Sequence, residues 1–89
     1  MNRIIVNITS DFSKVENAQE IIPEEIATTG KWKEQGILEH LLVKTDADTG
    51  GAVLIFQDKT QTEIEALLQT LPLRKCFVNV EFINVNKLY

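Results

Sequence analysis

The chain has little of what most catalytic sites are assembled from. Its 89 residues hold one cysteine, one histidine, one tryptophan and two prolines. A lone Cys76 excludes an internal disulfide framework and fits a reducing compartment. One histidine and one cysteine are too few for a zinc site built within a single chain, so no metal or other cofactor is expected. The two serines, Ser10 and Ser13, lie in no Gly-x-Ser-x-Gly elbow, and no glycine-rich phosphate loop is present. No stretch approaches the roughly 18 apolar residues that a membrane span requires. Basic residues are also sparse: nine Lys and Arg against thirteen acidic residues give a net charge of −4. Only Arg74-Lys75 are adjacent, which reads as a solvated loop at the negative end of a helix and excludes the clustered charge that nucleic acid needs. Met1-Asn2-Arg3 and the five mostly apolar residues after it lack a secretion signal's long apolar region, so the expected location is the cytoplasm.

What is present is patterning. Apolar residues at 44% and charged residues at 25% are ordinary for a globular protein, and 89 residues make one domain with a thin core. Gly50-Gly51 precede Ala52-Val53-Leu54-Ile55-Phe56, an apolar run too short for a helix and suited to a central strand packed on both faces. Thr60 and Glu63 form a capping box, Ile64, Leu67, Leu68 and Leu71 mark one helical face, and Pro72 ends the helix. Val78, Val80 and Phe82 then alternate with Asn79 and Glu81 as a strand.

Upstream, Arg3 to Ile8 reads as a first strand with Ile4, Val6 and Ile8 on one face. Ser13 and Glu16 predict a helix from about Lys14, kinked or broken at Pro23, resuming through Gln35 and stopping at Gly36. Leu38 to Lys44 is a second strand with Leu38, His40 and Leu42 on one face and Glu39, Leu41 and Val43 on the other. Asp46-Ala47-Asp48-Thr49-Gly50-Gly51 turns it back; this loop has Gly50 and Gln57 at the fifth and twelfth positions of a calcium loop, so a plain hairpin is expected. The order β-α-β-β-α-β predicts an α+β, ferredoxin-like domain over residues 1–89 with a four-stranded antiparallel sheet. Two helices cover one face of such a sheet, yet residues 52–56, Ile5 and Leu42 are apolar on the other. A second copy of the chain is the expected cover, as a homodimer or an assembly of dimers.

Leu67-Leu68, the Leu71-Pro72-Leu73 turn and Asn79-Val80-Glu81, with Gln35-Gly36 and His40-Leu41 upstream, resemble the muconolactone isomerase family over roughly the last two-thirds of the chain. The chain departs from that pattern at Arg74-Lys75-Cys76, one residue longer, and at Asn79, where the family has an acid. The resemblance implies a dimeric α/β barrel and a cofactor-independent isomerase that shifts a double bond in a small unsaturated lactone. In such a reaction a base takes a proton beside a carbonyl, a donor holds the enolate oxygen, and the proton returns elsewhere in the unsaturated system.

Two side chains suit that chemistry. With Ile22, Ile26 and Thr29 as the buried stripe of the first helix, Glu25 lies on its shoulder and can reach a cavity between helices and sheet, where desolvation would make it a better base. The resemblance implies the same role, since Glu25 falls where the family carries a glutamate proposed as base. His40, on the Leu38 and Leu42 face, would serve as donor if that face lines the cavity; a backbone amide is the alternative. Thr28, Trp32, Leu38 and Leu42 are the expected ligand-binding walls, with Gly30 leaving a notch, and Cys76 is expected to be a small buried residue. Two alternatives to the isomerase stand: a dimeric barrel that binds a small molecule without turning it over, and a cofactor-free monooxygenase-like relative.

Overall fold

The structure is a computed structural model and describes residues 2–45 and 50–89. Residues 46–49 of the expected 46–51 turn therefore lie outside the described residues, and Gly50 and Gly51 belong to a strand. In chain order the elements are β1 (Asn2–Ser10), α1 (Ala18–Glu34), β2 (Leu38–Val43), β3 (Gly50–Gln57), α2 (Gln61–Gln69) and β4 (Phe77–Asn86), with 3-10 turns at Phe12–Lys14 and Arg74–Cys76. The strands form one antiparallel sheet ordered β2-β3-β1-β4, compatible with the ferredoxin-like arrangement. No helix is long and apolar enough to cross a membrane.

The pleat of the central strands decides where the core sits. In β1, Ile4, Val6 and Ile8 are buried against the helices, and they pair with Phe56, Leu54 and Ala52 of β3. Because cross-strand partners share a face, one apolar layer results, and Trp32, Ile64, Leu68 and Leu71 close it from above. Val6, Leu54, Phe56 and Ile64 are at most 2% exposed, and burying a side chain of this size is worth about 1.5–3 kcal/mol.

α2 forms as its sequence dictates. The Thr60 Oγ1 accepts from the Glu63 amide at 3.2 Å, and Glu63 Oε1 accepts from the Thr60 amide at 3.0 Å. The hydrogen bonds that Glu63 Oε1 accepts from the Thr60 amide and, at 3.1 Å, from the Thr60 hydroxyl hold the Glu63 carboxyl below its ordinary range.

α1 departs from expectation at both features. It begins at Ala18, because Asp11 caps the Phe12–Lys14 turn instead: its Oδ1 accepts from the Ser13 amide and hydroxyl at 3.0 and 2.6 Å, which places Ser13 inside that turn, and Val15, with extended dihedrals, ends it before α1 begins. The helix also runs unbroken from Ala18 through Pro23 to Glu34. Proline costs a helix one backbone hydrogen bond per substitution, and packing of the apolar stripe outweighs that loss here. Gly36, at φ +76°, takes the left-handed conformation that terminates it.

β2 carries the largest correction. Leu38 pairs with Phe56, but His40 pairs with Ile55, so Glu39 is an extra residue in a β-bulge. Leu38, Leu41 and Val43 therefore share the helix-covered face, while His40 and Leu42 lie on the opposite face with Ile55 and Val53. The simple alternation that grouped Leu38 with His40 and Leu42 fails at this bulge. Glu39 is held there by Arg3, whose Nε and Nη2 donate to its two oxygens at 3.2 and 3.1 Å, and by Lys87 Nζ at 3.2 Å. The Arg3 hydrogen bonds, followed by that from Lys87, pull the Glu39 carboxyl down to about 2.

Strand β3 starts two residues earlier than the apolar run, through Gly50 and Gly51. Gly51 has φ +145°, and a Cβ there would run into the Ile8 carbonyl oxygen of the paired strand. Only glycine meets both conditions without strain. Gly51→Ala is expected to destabilise the fold by about 1–3 kcal/mol. A urea midpoint unchanged from wild type would contradict this account of the β3 entry.

Candidate functional site

A cavity of about 500 Å³ opens between α1 and the end of the sheet where β1 meets β3. Ile8, Leu38 and Leu54 form its floor, Ile22 of α1 its roof, and Leu71 and Leu73 from the segment after α2 its inner end. Such a lining is apolar by construction: each wall residue is the inward member of a strand or helix pattern, and the cavity is where α1 and the sheet diverge.

Two carboxyl-bearing residues interrupt this apolar surface: Glu39, paired with Arg3 and Lys87, and Glu25, which has no ion pair among the described residues. Glu25 is half-buried, lines the cavity, and accepts a hydrogen bond at Oε1 from the Leu73 amide at 3.2 Å. No hydrogen bond among the described residues occupies its Oε2. Its position follows from the helix seam. Ala18, Thr29 and Trp32 are buried and Ile22 is half-buried, so the inward stripe steps 18, 22, 25, 29, 32, alternating fours and threes. Glu25 thus lies within the seam and not on its shoulder, whereas Ile26, expected inside, is 65% exposed. Burial raises the Glu25 pKa, and the Leu73 hydrogen bond opposes that rise without cancelling it.

Other polar groups around the cavity are few. Thr29 Oγ1 donates to backbone carbonyls of its own helix, to Glu25 at 3.0 Å and Ile26 at 3.2 Å. Lys33 Nζ, at the rim, donates to the Glu39 carbonyl at 2.6 Å. Ser10 is 3% exposed and lines the cavity from the end of β1, and its hydroxyl makes no hydrogen bond among the described residues. Ser10 was legible in principle, since it continues the inward register of Ile4, Val6 and Ile8; a serine ending an apolar stripe marks a polar point on an apolar wall.

The expected site residues separate into two groups. Glu25, Leu38 and Gly30 line the cavity, and His40 reaches its rim. His40 is exposed, however, and the bulge puts it on the sheet face away from the helices. Leu42 lies on that same face, 56% exposed, and Thr28 turns its hydroxyl onto the Glu24 carbonyl at 2.9 Å; neither lines the cavity. Trp32 is a core residue: its ring packs on Phe56 with centroids 6.0 Å apart and planes at 49°, outside the cavity lining. Cys76 is fully buried, and burial together with the negative charges of Glu25 and Asp11 raises its thiol pKa, so it is held protonated and unreactive. Arg74 of the adjacent basic pair lies with its guanidinium 5.5 Å from the centre of the Phe77 ring.

No protein-family model and no curated protein matches the chain. The chemistry of the site therefore rests on its own geometry.

The raised Glu25 pKa has a defined signature in stability. From about the ordinary value of 4.5 upward, the folded state binds the Glu25 proton more tightly than the unfolded state does, so this group's contribution to stability falls as pH rises through the window. Glu25→Gln keeps the size and a carbonyl acceptor for the Leu73 amide but cannot ionise. Its stability relative to wild type, read from urea midpoints between pH 4 and 8, is expected to improve as pH rises above 4.5 and to level off once the folded-state carboxyl has ionised. A difference that stays flat or reverses over that range would contradict a desolvated Glu25.

Proposed function

We propose that the chain is a cofactor-independent isomerase of small unsaturated cyclic carbonyl compounds, of the muconolactone isomerase type, with Glu25 as its base. The observation that carries the reading is a half-buried carboxyl without a cationic partner, one oxygen of which makes no hydrogen bond among the described residues, in a largely apolar cavity whose other carboxyl, Glu39, is paired with Arg3 and Lys87. Desolvation weakens the carboxylate's solvation more than that of its protonated form and so raises its basicity toward the value proton abstraction at neutral pH requires. Glu25 takes the proton from carbon beside the carbonyl, and the C–H electron pair moves into an enolate. The Leu73 amide fixes the carboxylate meanwhile. Ser10, in place of the expected His40, supplies the hydroxyl that donates to the enolate oxygen. The proton then passes from Glu25 to the far end of the unsaturated unit, the carbonyl re-forms, and the double bond has moved with no net gain or loss of electrons.

Turnover of uncharged butenolides, followed by ultraviolet absorbance, tests this. Glu25→Gln is expected to lower kcat at least tenfold, and Ser10→Ala to lower it about 10²-fold, the usual effect of removing one enolate donor. Wild-type turnover that Glu25→Gln leaves intact would remove the assigned base. A second reading, ligand binding without turnover, is favoured by the thin polar inventory of the cavity, where Thr29 already spends its hydroxyl proton on the helix; it predicts saturable binding and no product.

We further propose that the protein is a homodimer joined through the uncovered sheet face. Ile5, Val53 and Ile55 are half-buried there, and Leu42 and Ile83 are 56% and 46% exposed, an apolar surface no helix of the described residues covers. Asn7 lies on this face with its Oδ1 buried and without a hydrogen-bond partner among the described residues, an acceptor that a facing copy could satisfy. Sedimentation at micromolar concentration is expected to give a dimer, and Ile55→Glu a folded monomer. A monomeric wild type would overturn the assembly.

A further inference from the structure

The same cavity constrains the charge and size of what it holds. Its volume of about 500 Å³ falls in the range of ~300–1,000 Å³ typical of sites for drug-sized molecules, so there is room for more than one ring. The walls are mostly hydrocarbon from strand, helix and the Leu71–Leu73 segment, with Ser10 and Thr29 as neutral polar points and Lys33, Glu39 and His40 also in the lining. Among the described residues no basic group forms an ion pair with Glu25. Lys33 stands at the rim with its ammonium hydrogen-bonded to the Glu39 carbonyl, and Arg74 stacks on Phe77 outside the lining. A carboxylate entering the cavity would lose its hydration and meet the charge of Glu25, and at the rim that of Glu39, in a medium that screens poorly, while the Lys33 ammonium is already engaged by the Glu39 carbonyl.

We propose that the cavity is a site for uncharged compounds of two or more rings that present one hydroxyl or acidic C–H to Glu25, and that it rejects carboxylates of the same shape. This names the substrate class of the isomerase reading and rests on that reading for its chemistry, but the selectivity itself follows from the lining. Hydrogen bonding from the ligand to the free Oε2 replaces the water that burial removed, whereas the apolar walls take the ring faces. Charge exclusion by Glu25 makes this half-buried carboxyl a specificity determinant as well as a base.

Calorimetric titration with 2-naphthol, 2-naphthoate and 2-naphthylmethylammonium at pH 8 tests the proposal on the full chain. The expected result is at least tenfold tighter binding of 2-naphthol than of 2-naphthoate by wild type, with the gap narrowed to within threefold in Glu25→Gln. Gly30→Leu, at a lining position where a Cβ meets no atom within 4 Å, is expected to fold normally and to abolish naphthol binding by filling the cavity. Equal or tighter binding of the naphthoate, tighter binding of the ammonium compound, a gap undiminished in Glu25→Gln, or naphthol binding unchanged by Gly30→Leu would each overturn it. None of these probes has a double bond to isomerise, so the result is independent of turnover. Naphthol selectivity without lactone turnover would remove the isomerase and keep the ligand class; lactone turnover without the selectivity would do the reverse.

Discussion

The alternation of side chains along β1 and β3 is the constraint on which the rest of this structure depends. Each strand is apolar at successive positions, so the pleat must send apolar side chains to both faces of the sheet. Ile4, Val6, Leu54 and Phe56 go to the helices and are buried, while Ile5, Val53 and Ile55 go to the other face and are only half so. One face thereby makes the core and anchors the cavity. The other is left with more apolar surface than a small domain's own elements can cover, which is the physical ground for a second copy.

Within that frame, two charged residues are placed against their ordinary tendencies, with opposite outcomes. Arg3 is 6% exposed, yet the bidentate contact with Glu39 compensates the guanidinium, and Lys87 adds to the cluster. Every charge in that cluster is answered, and its carboxyl is driven down in pKa. Glu25 has no such answer: a single backbone amide meets one of its oxygens, and its pKa rises. A compensated cluster is what structure requires of buried charge, and an uncompensated carboxyl beside a cavity is what chemistry can use. The contrast separates the two carboxylates although they lie only fourteen residues apart in one βαβ unit.

The strand-helix-strand block from Gly50 to Phe82 was legible in most of its length, because most signals in it are local. The Thr60–Glu63 box and the Ile64, Leu68 and Leu71 stripe need no knowledge of distant residues, whereas the β4 alternation holds for Val80 and Phe82 but not for Val78, which falls at a bulge and is 47% exposed while Phe77 pairs with Ser10. The first half read less well wherever a local signal met a competitor. Ser13 had the spacing of a helix cap but was taken by Asp11, and Pro23 had the chemistry of a breaker but was carried by the packing around it. At Glu39 nothing local marks a bulge. The pairing with Arg3, thirty-six residues away, holds it, and the slip moves His40 from the expected site to the opposite face.

By itself, then, the sequence determined the element types, the strand order's antiparallel logic, the doubly apolar β3 and the presence of a glutamate near the inner face of α1. Tertiary structure decided the rotation of that helix, and with it that Glu25 is in the seam and Ile26 outside. It also decided the face of His40, the core role of Trp32 and the entry of Ser10 into the cavity. The reason is one of range. Periods of 2 and 3.6 are written into neighbouring residues, but a helix showing a broad amphipathic stripe can roll by a residue's width at little local cost, and only the sheet beneath it fixes which residue faces inward.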